Sequence, residues 1–365
     1  MSWPSKVFEL NPAGVNWPRA VLFLDVALVP LVVVWAIGHE EYLFSALFGA
    51  LFAWLADPGG SYGQRVLRIA VFGLIGAGLT GLGFGIGGEA WGWLTLAAFA
   101  VTLVGGLAVA LGVRRFVAAT LLNLWFIIAL GISFSYHQHA HITSHTWAQV
   151  LAWACGAALW IVVTFIDWLI SRREDRPQPI AEIPGDISRR ALTGPLIAFA
   201  VIRALVIAGT AAIAFGFDLS HGYWLPIAAM VAMKPDLSQA TLIAAQRVAG
   251  TLIGAVAAAL LLLIPASEHG RQLFAIDRGL EVVALVQLMH VVAIRFWNYA
   301  LYTAAIAAGV LTLIDVPQPT DYGDEGYRIL WTLCGVAIGV LVMILAGLLA
   351  KRRAKAPQEP AAQPA

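Results

Sequence analysis

Apolar residues in this chain fall in blocks of roughly 17–25, divided by short polar or charged breaks. That is the length a helix needs to cross a ~30 Å hydrocarbon layer at about 1.5 Å per residue. In lipid every backbone N–H and C=O must be paired within the chain, so such blocks predict helices. The alternating pattern of a membrane β-barrel is absent. The blocks predict twelve spans, at about 20–37, 41–56, 66–86, 91–112, 116–134, 147–170, 194–215, 222–234, 244–264, 279–294, 297–315 and 329–350. The expected fold is therefore all-α, a polytopic membrane protein of two six-helix halves, 1–170 and 191–350. A charged, Pro-containing linker spans 171–190. Residues 351–365 are basic, then rich in Pro, Ala and Gln, and read as a disordered tail.

Short matches recur in order along the two halves. Gln64-Arg65-Val66 returns as Gln246-Arg247-Val248, Arg115-Phe116 as Arg295-Phe296, Cys155-Gly156 as Cys334-Gly335, and Arg172-Arg173 as Arg352-Arg353, all at offsets of 179–182 residues. Six spans per half give both halves the same orientation, so the repeat is parallel, the kind whose halves pack about an axis normal to the membrane. With the N-terminus inside, eighteen of the 22 Lys and Arg fall on the inner side. Only Arg271, Arg278 and Arg328 fall outside, and Arg203 lies within a span. Both termini are thus expected in the cytoplasm.

Composition agrees. Hydrophobic residues make up 60% of the 365 and charged residues 12%, against about 25% charged in soluble domains; the mean hydropathy is +0.82. The net charge of +1 points to no nucleic-acid partner. Cys155 and Cys334 both lie in apolar blocks and read as small core residues rather than a disulfide pair. Gly76–Gly81 matches G-x-G-x-x-G but sits inside a span, so a dinucleotide site is rejected and close helix packing preferred. No Walker sequence is present, and neither a cofactor nor a catalytic residue is expected. The outer histidines in HQHAHITSH, from His137 to His145, read as a solvated loop in preference to a metal site, since alternating residues do not share a helix face.

Several polar residues stand out against these apolar runs. Arg203 lies about nine residues into its span, where an unpaired cation is costly, and its planar fork suits a carboxylate. Its partner is either a substrate or Asp25, at nearly the same depth of the first span. From Tyr223 to Lys234 there is room for a helix of only ~17 Å, further weakened by Pro226; such short helices line cavities in transporters. Tyr223 and Trp224 are candidates for holding an aromatic ring and Lys234 for holding an anion, against the plainer reading of interfacial aromatics and a helix C-terminal cation. Asp236 with Gln239, and Ser61 with Gln64, read as capping boxes. Gln287 and His290, one turn apart, and Asn298 and Tyr302 extend the candidate substrate surface. Asp25, His290, Asp236 and Asp167 are the candidates for proton coupling, although Asp167 also reads as an interfacial ion pair.

The segment from His221 to Leu263 carries Gly222-Tyr223-Trp224 with Pro226, Lys234-Pro235-Asp236, and Gln246-Arg247 followed by Gly250 and Gly254. In these features, and in Arg203 within AVIRALVIAG, it resembles the fusaric acid resistance family, which overlaps the aromatic acid exporters. The first half matches in outline, through Tyr42, Asp57-Pro58 and Gln64-Arg65. The resemblance implies inner-membrane efflux of aromatic carboxylic acids or related compounds. Many members carry a large cytoplasmic domain where this chain has only its linker. The leading expectation is a proton-driven exporter of small organic anions. An anion channel is the alternative, and a membrane-embedded metal-dependent enzyme a third reading. Membrane lipid is an expected partner, with a homo-oligomer or a periplasmic adaptor left open.

Overall fold

The computed structural model describes residues 6–11, 14–57, 61–138, 144–170, 188–189, 191–233, 237–264, 271–295, 297–315 and 323–355. Among them are twelve α-helices: α1 (Trp17–Ile37), α2 (Leu43–Ala56), α3 (Tyr62–Ile86), α4 (Trp91–Leu107), α5 (Val113–Gln138), α6 (Thr146–Ile170), α7 (Gly194–Gly216), α8 (Trp224–Ala232), α9 (Leu237–Leu262), α10 (Arg271–Ile294), α11 (Tyr299–Asp315) and α12 (Gly323–Lys355). No strand occurs among the described residues. Eight of the helices (α1, α3, α4 with the turn that follows it, α5, α6, α7, α9 and α12) are long and apolar enough to cross a membrane. The protein is a multi-pass membrane protein.

The other four helices are shorter or more charged than these eight, although a short α8 is expected. α2 has 14 residues and α8 only nine, about 21 and 13 Å of rise. α11 has 17, and α10 carries Asp277, Arg278 and Glu281 in its first half. α2 and α8 are also the most enclosed elements. All nine residues of α8 are buried, as are all but Phe44 and Ala56 of α2. They are apolar all round because other helices surround them. α12 runs on through Lys355, so the basic stretch expected in a disordered tail is helical as far as that residue. Lys, Arg and Ala are good helix formers, and cations are favourable at a helix C-terminus.

The same packing occurs in each run of six helices. α2 packs on α6 as α8 does on α12; α3 packs on α5 and α6 as α9 does on α11 and α12; and α4 packs on α5 as α10 does on α11. Between the two runs, α4 packs against α7 and α10 against α1, so the fourth helix of each run meets the first helix of the other.

Glycines set the closest approaches. A Cβ on Gly156 would run into the Ala46 carbonyl oxygen and come within 2.9 Å of the Ala50 nitrogen; one on Gly335 would meet the Leu225 carbonyl oxygen and, at 3.0 Å, the Ala229 nitrogen. The recurring Cys-Gly dipeptide is therefore where α6 and α12 each admit the backbone of a short helix. Gly156→Ala and Gly335→Ala are each expected to destabilise the fold by about 1–3 kcal/mol through overpacking, measured as a lowered midpoint of thermal unfolding in detergent. Gly63→Ala, where an added Cβ meets nothing within 4 Å, is the control.

Candidate functional site

Arg203, the tenth residue of α7, is 1% exposed. One Nη donates to Thr120 Oγ1 at 3.4 Å, and the guanidinium lies 5.1 Å from the centre of the Phe116 ring, both on α5. Its Nε and other Nη are buried with no hydrogen-bond partner, and it makes no ion pair among the described residues. The α4·α7 contact seals this place: a Cβ on Gly106 would come within 3.0 Å of Ala200 Cα, about one turn before Arg203. About one turn on along the same face of α5, Asn123 donates to Thr102 of α4 at 3.0 Å. A cation at this depth costs about 2.5–3.5 kcal/mol by insertion scales. A long hydrogen bond and a ring face offset part of that, and two N–H groups remain for an anion.

The Asp25–Arg203 pair is corrected by the structure. Asp25 is exposed on α1, whereas Arg203 is buried among α4, α5 and α7. The two occupy corresponding positions in the first helix of each run, but α1 packs on α10 while α7 packs on α4. Equivalent positions therefore fall on different seams instead of facing each other.

The aromatic candidates lie apart from Arg203. Tyr223 and Trp224 open α8 and are both buried. A Cβ on Gly131 of α5 would strike the Tyr223 ring, so Tyr223 packs eleven residues along α5 from Thr120, about 16 Å away by helical rise. Trp224 carries Arg328 of α12 over its face at 3.7 Å. Arg203 and the aromatic pair thus sit at two levels of α5. Lys234 and Asp236 lie outside the described residues.

The remaining candidates are dispersed. Asn298 is fully engaged: its amide donates to the Val7 and Glu9 carbonyls, each at 3.1 Å, and its oxygen accepts from Leu301 N at 2.9 Å, which caps α11. That occupancy argues against a substrate role. Tyr302 stacks on Tyr299 at 5.6 Å. Gln287, on α10, has a buried side-chain oxygen without a partner. One turn on, His290 Nδ1 donates to the Val286 carbonyl at 2.7 Å; the carbonyl can only accept, so this nitrogen carries the hydrogen and Nε2 is left as an acceptor. The His290 ring packs edge-on against Trp17 of α1 at 5.5 Å. Asp167 is exposed near the end of α6, within electrostatic reach of Arg19.

Two polar clusters were not picked out as sites from the sequence. Short α2 ends at Asp57, whose carboxylate takes Arg65 Nε at 3.1 Å and Nη at 2.5 Å, with Trp160 Nε1 at 3.4 Å. Both partners are about nine-tenths buried. The recurring Gln-Arg dipeptide was the available signal. The expected Ser61 cap is not made by its side chain; the Asp57–Arg65 pair ties this turn instead. At the opposite ends of α1 and α10, Arg278 bridges Glu40 and Glu281, and Trp35 Nε1 donates to Glu281 at 2.6 Å. Among the described residues no three His, Cys, Asp or Glu come together as metal ligands.

Residues 206–342 match a family model described as fusaric acid resistance protein-like. The matched stretch takes in the later part of α7, all of α8 to α11 and the first part of α12, and it begins three residues after Arg203. This agrees with the resemblance carried by Gly222-Tyr223-Trp224 and Gln246-Arg247. No curated protein and no solved structure matches the chain. Within the fusaric acid resistance protein-like stretch lies Trp224, with Arg328 over its ring.

Removing one member of the Asp57–Arg65 pair is expected to cost about 3–5 kcal/mol, because the survivor is a buried, uncompensated charge. Asp57→Leu and Arg65→Met should each lower the thermal midpoint sharply, and the double substitution should recover most of the loss.

Proposed function

We propose that the protein is a secondary exporter of small organic anions in a bacterial inner membrane, that aromatic carboxylic acids are its substrate class, and that the proton gradient drives it. The observation that carries this reading is Arg203, a buried guanidinium at mid-span with two unpartnered nitrogens and an aromatic ring on its flank. A carboxylate would accept a charge-assisted hydrogen bond from one of the unpartnered nitrogens, while the ring of the same molecule would lie against Phe116. The fusaric acid resistance protein-like match supports the transport class. Lys234 remains a candidate second cation, with Tyr223 and Trp224 at the other level. His290 is the proposed proton carrier, because its Nε2 is left to accept a proton.

The proposed framework is two parallel six-helix repeats, 1–170 and 191–350, with both termini cytoplasmic. The recurring helix pairs and the reciprocal α4·α7 and α10·α1 contacts support it. Transport would then follow from movement of one repeat against the other along these two seams.

In proteoliposomes, Arg203→Ala is expected to lower proton-driven transport of an aromatic carboxylate at least about tenfold, the effect of losing a charged hydrogen-bond pair worth ~1.5–3 kcal/mol. Arg203→Lys should retain part of it, and thermal unfolding checks that both variants fold. Undiminished transport by both Arg203→Ala and Lys234→Ala overturns the site. Anion currents without proton flux would favour a channel. Deleting the gene should sensitise cells to aromatic acids.

A further inference from the structure

We propose that the face formed by α1, α6 and α3 is a self-association surface, on which Asp25 of one copy of this chain pairs with Arg68 of a second copy, twice, about a two-fold axis along α6. Both residues are exposed within long apolar helices. Asp25 lies among exposed Val21, Leu22 and Val29, and Arg68 beside exposed Leu67 and Val71. Neither makes a hydrogen bond or ion pair among the described residues. Hydrocarbon gives a carboxylate no partner. A long side chain such as that of Arg68 can reach back towards the interface, but the short side chain of Asp25 cannot.

The two charges lie a similar way along their helices. Arg19 at the start of α1 and Arg65 at the start of α3 are both in electrostatic reach of Asp57, which brings these helix ends near one another. Asp25 is six residues beyond Arg19 and Arg68 three beyond Arg65, a difference in helical rise of about 4.5 Å that an extended arginine covers. α6 contacts both α1 and α3 and lies between them. Rotation about an axis through α6 therefore brings α1 of each copy to α3 of the other, and opposite charges meet at both places. The middle of the outer face of α6 presents exposed Cys155 and Ala158, small enough for two α6 helices to approach closely. The surface is independent of the transport reading: a monomer that transports would overturn only the dimer.

The test uses the full chain in lipid bilayers. With Cys155 and Cys334 replaced by Ala, one tagged copy carrying Asp25→Cys and another carrying Arg68→Cys should form a disulfide-linked dimer on oxidation, in preference to either variant with itself. Without cysteines, Asp25→Arg or Arg68→Asp alone should weaken dimerisation about tenfold by single-molecule photobleaching. The double reversal should restore it, because the opposite charges are re-formed. A wild-type chain that stays monomeric at every density, absence of the 25–68 disulfide, or single reversals that leave the dimer unchanged would each overturn the proposal. If a single reversal fails to fold, the disulfide decides alone.

Discussion

A helix that stops inside a bilayer leaves backbone carbonyls and N–H groups with no water to bond, so a chain that uses short helices must supply their partners itself. Most of this architecture serves that need for α2 and α8. Both are wrapped by longer helices, and the wrapping is close because Gly156 and Gly335 remove the side chains that would otherwise hold α6 and α12 away. At the end of α2, Arg295 donates to the Leu55 carbonyl at 3.1 Å, and the buried Asp57–Arg65 pair ties the turn that follows. The small residues and the Arg295 contact are thus consequences of ending a helix early.

The same constraint explains what could be read from the sequence. Helix positions were legible because hydrocarbon thickness fixes the length of an apolar block, but α9, α10 and α12 begin earlier than expected, since their first turns are polar. The shortness of α8 followed from the spacing of Tyr223 and Lys234, and Arg203 stood out because no other charge shares its run. Its surroundings were not legible. Phe116 and Thr120 come from α5, more than eighty residues earlier, and which helices touch is decided by packing rather than by periodicity. Asp25 misled for a physical reason: equal depth in equivalent helices says nothing about facing, since each first helix pairs with the fourth helix of the other run. Asn298 looked like a polar lining residue but is an N-cap, a role that needs the following backbone to be recognised.

Some of the recurring dipeptides mark close packing. Gly156 and Gly335 each admit the backbone of a short helix. Two arginines from different recurring dipeptides meet the end of α2: Arg65 holds Asp57, and Arg295 donates to the Leu55 carbonyl beside Trp54, across the two runs.

The two seams between the runs are closed by different means. At α4·α7 the approach is of main chain to main chain, through Gly106 and Ala200. At α10·α1 the closures are mostly polar tips and ring edges: Arg278 with Glu40, Trp35 with Glu281, and His290 with Trp17, beside one main-chain bond from Asn16 N–H to the Ala293 carbonyl at 2.9 Å. Water can replace a side-chain hydrogen bond at little net cost, but it cannot replace interdigitated backbone. Solvent reaching the tryptophan–glutamate contact would therefore loosen the α10·α1 seam more readily than the interlocked main chain of the other.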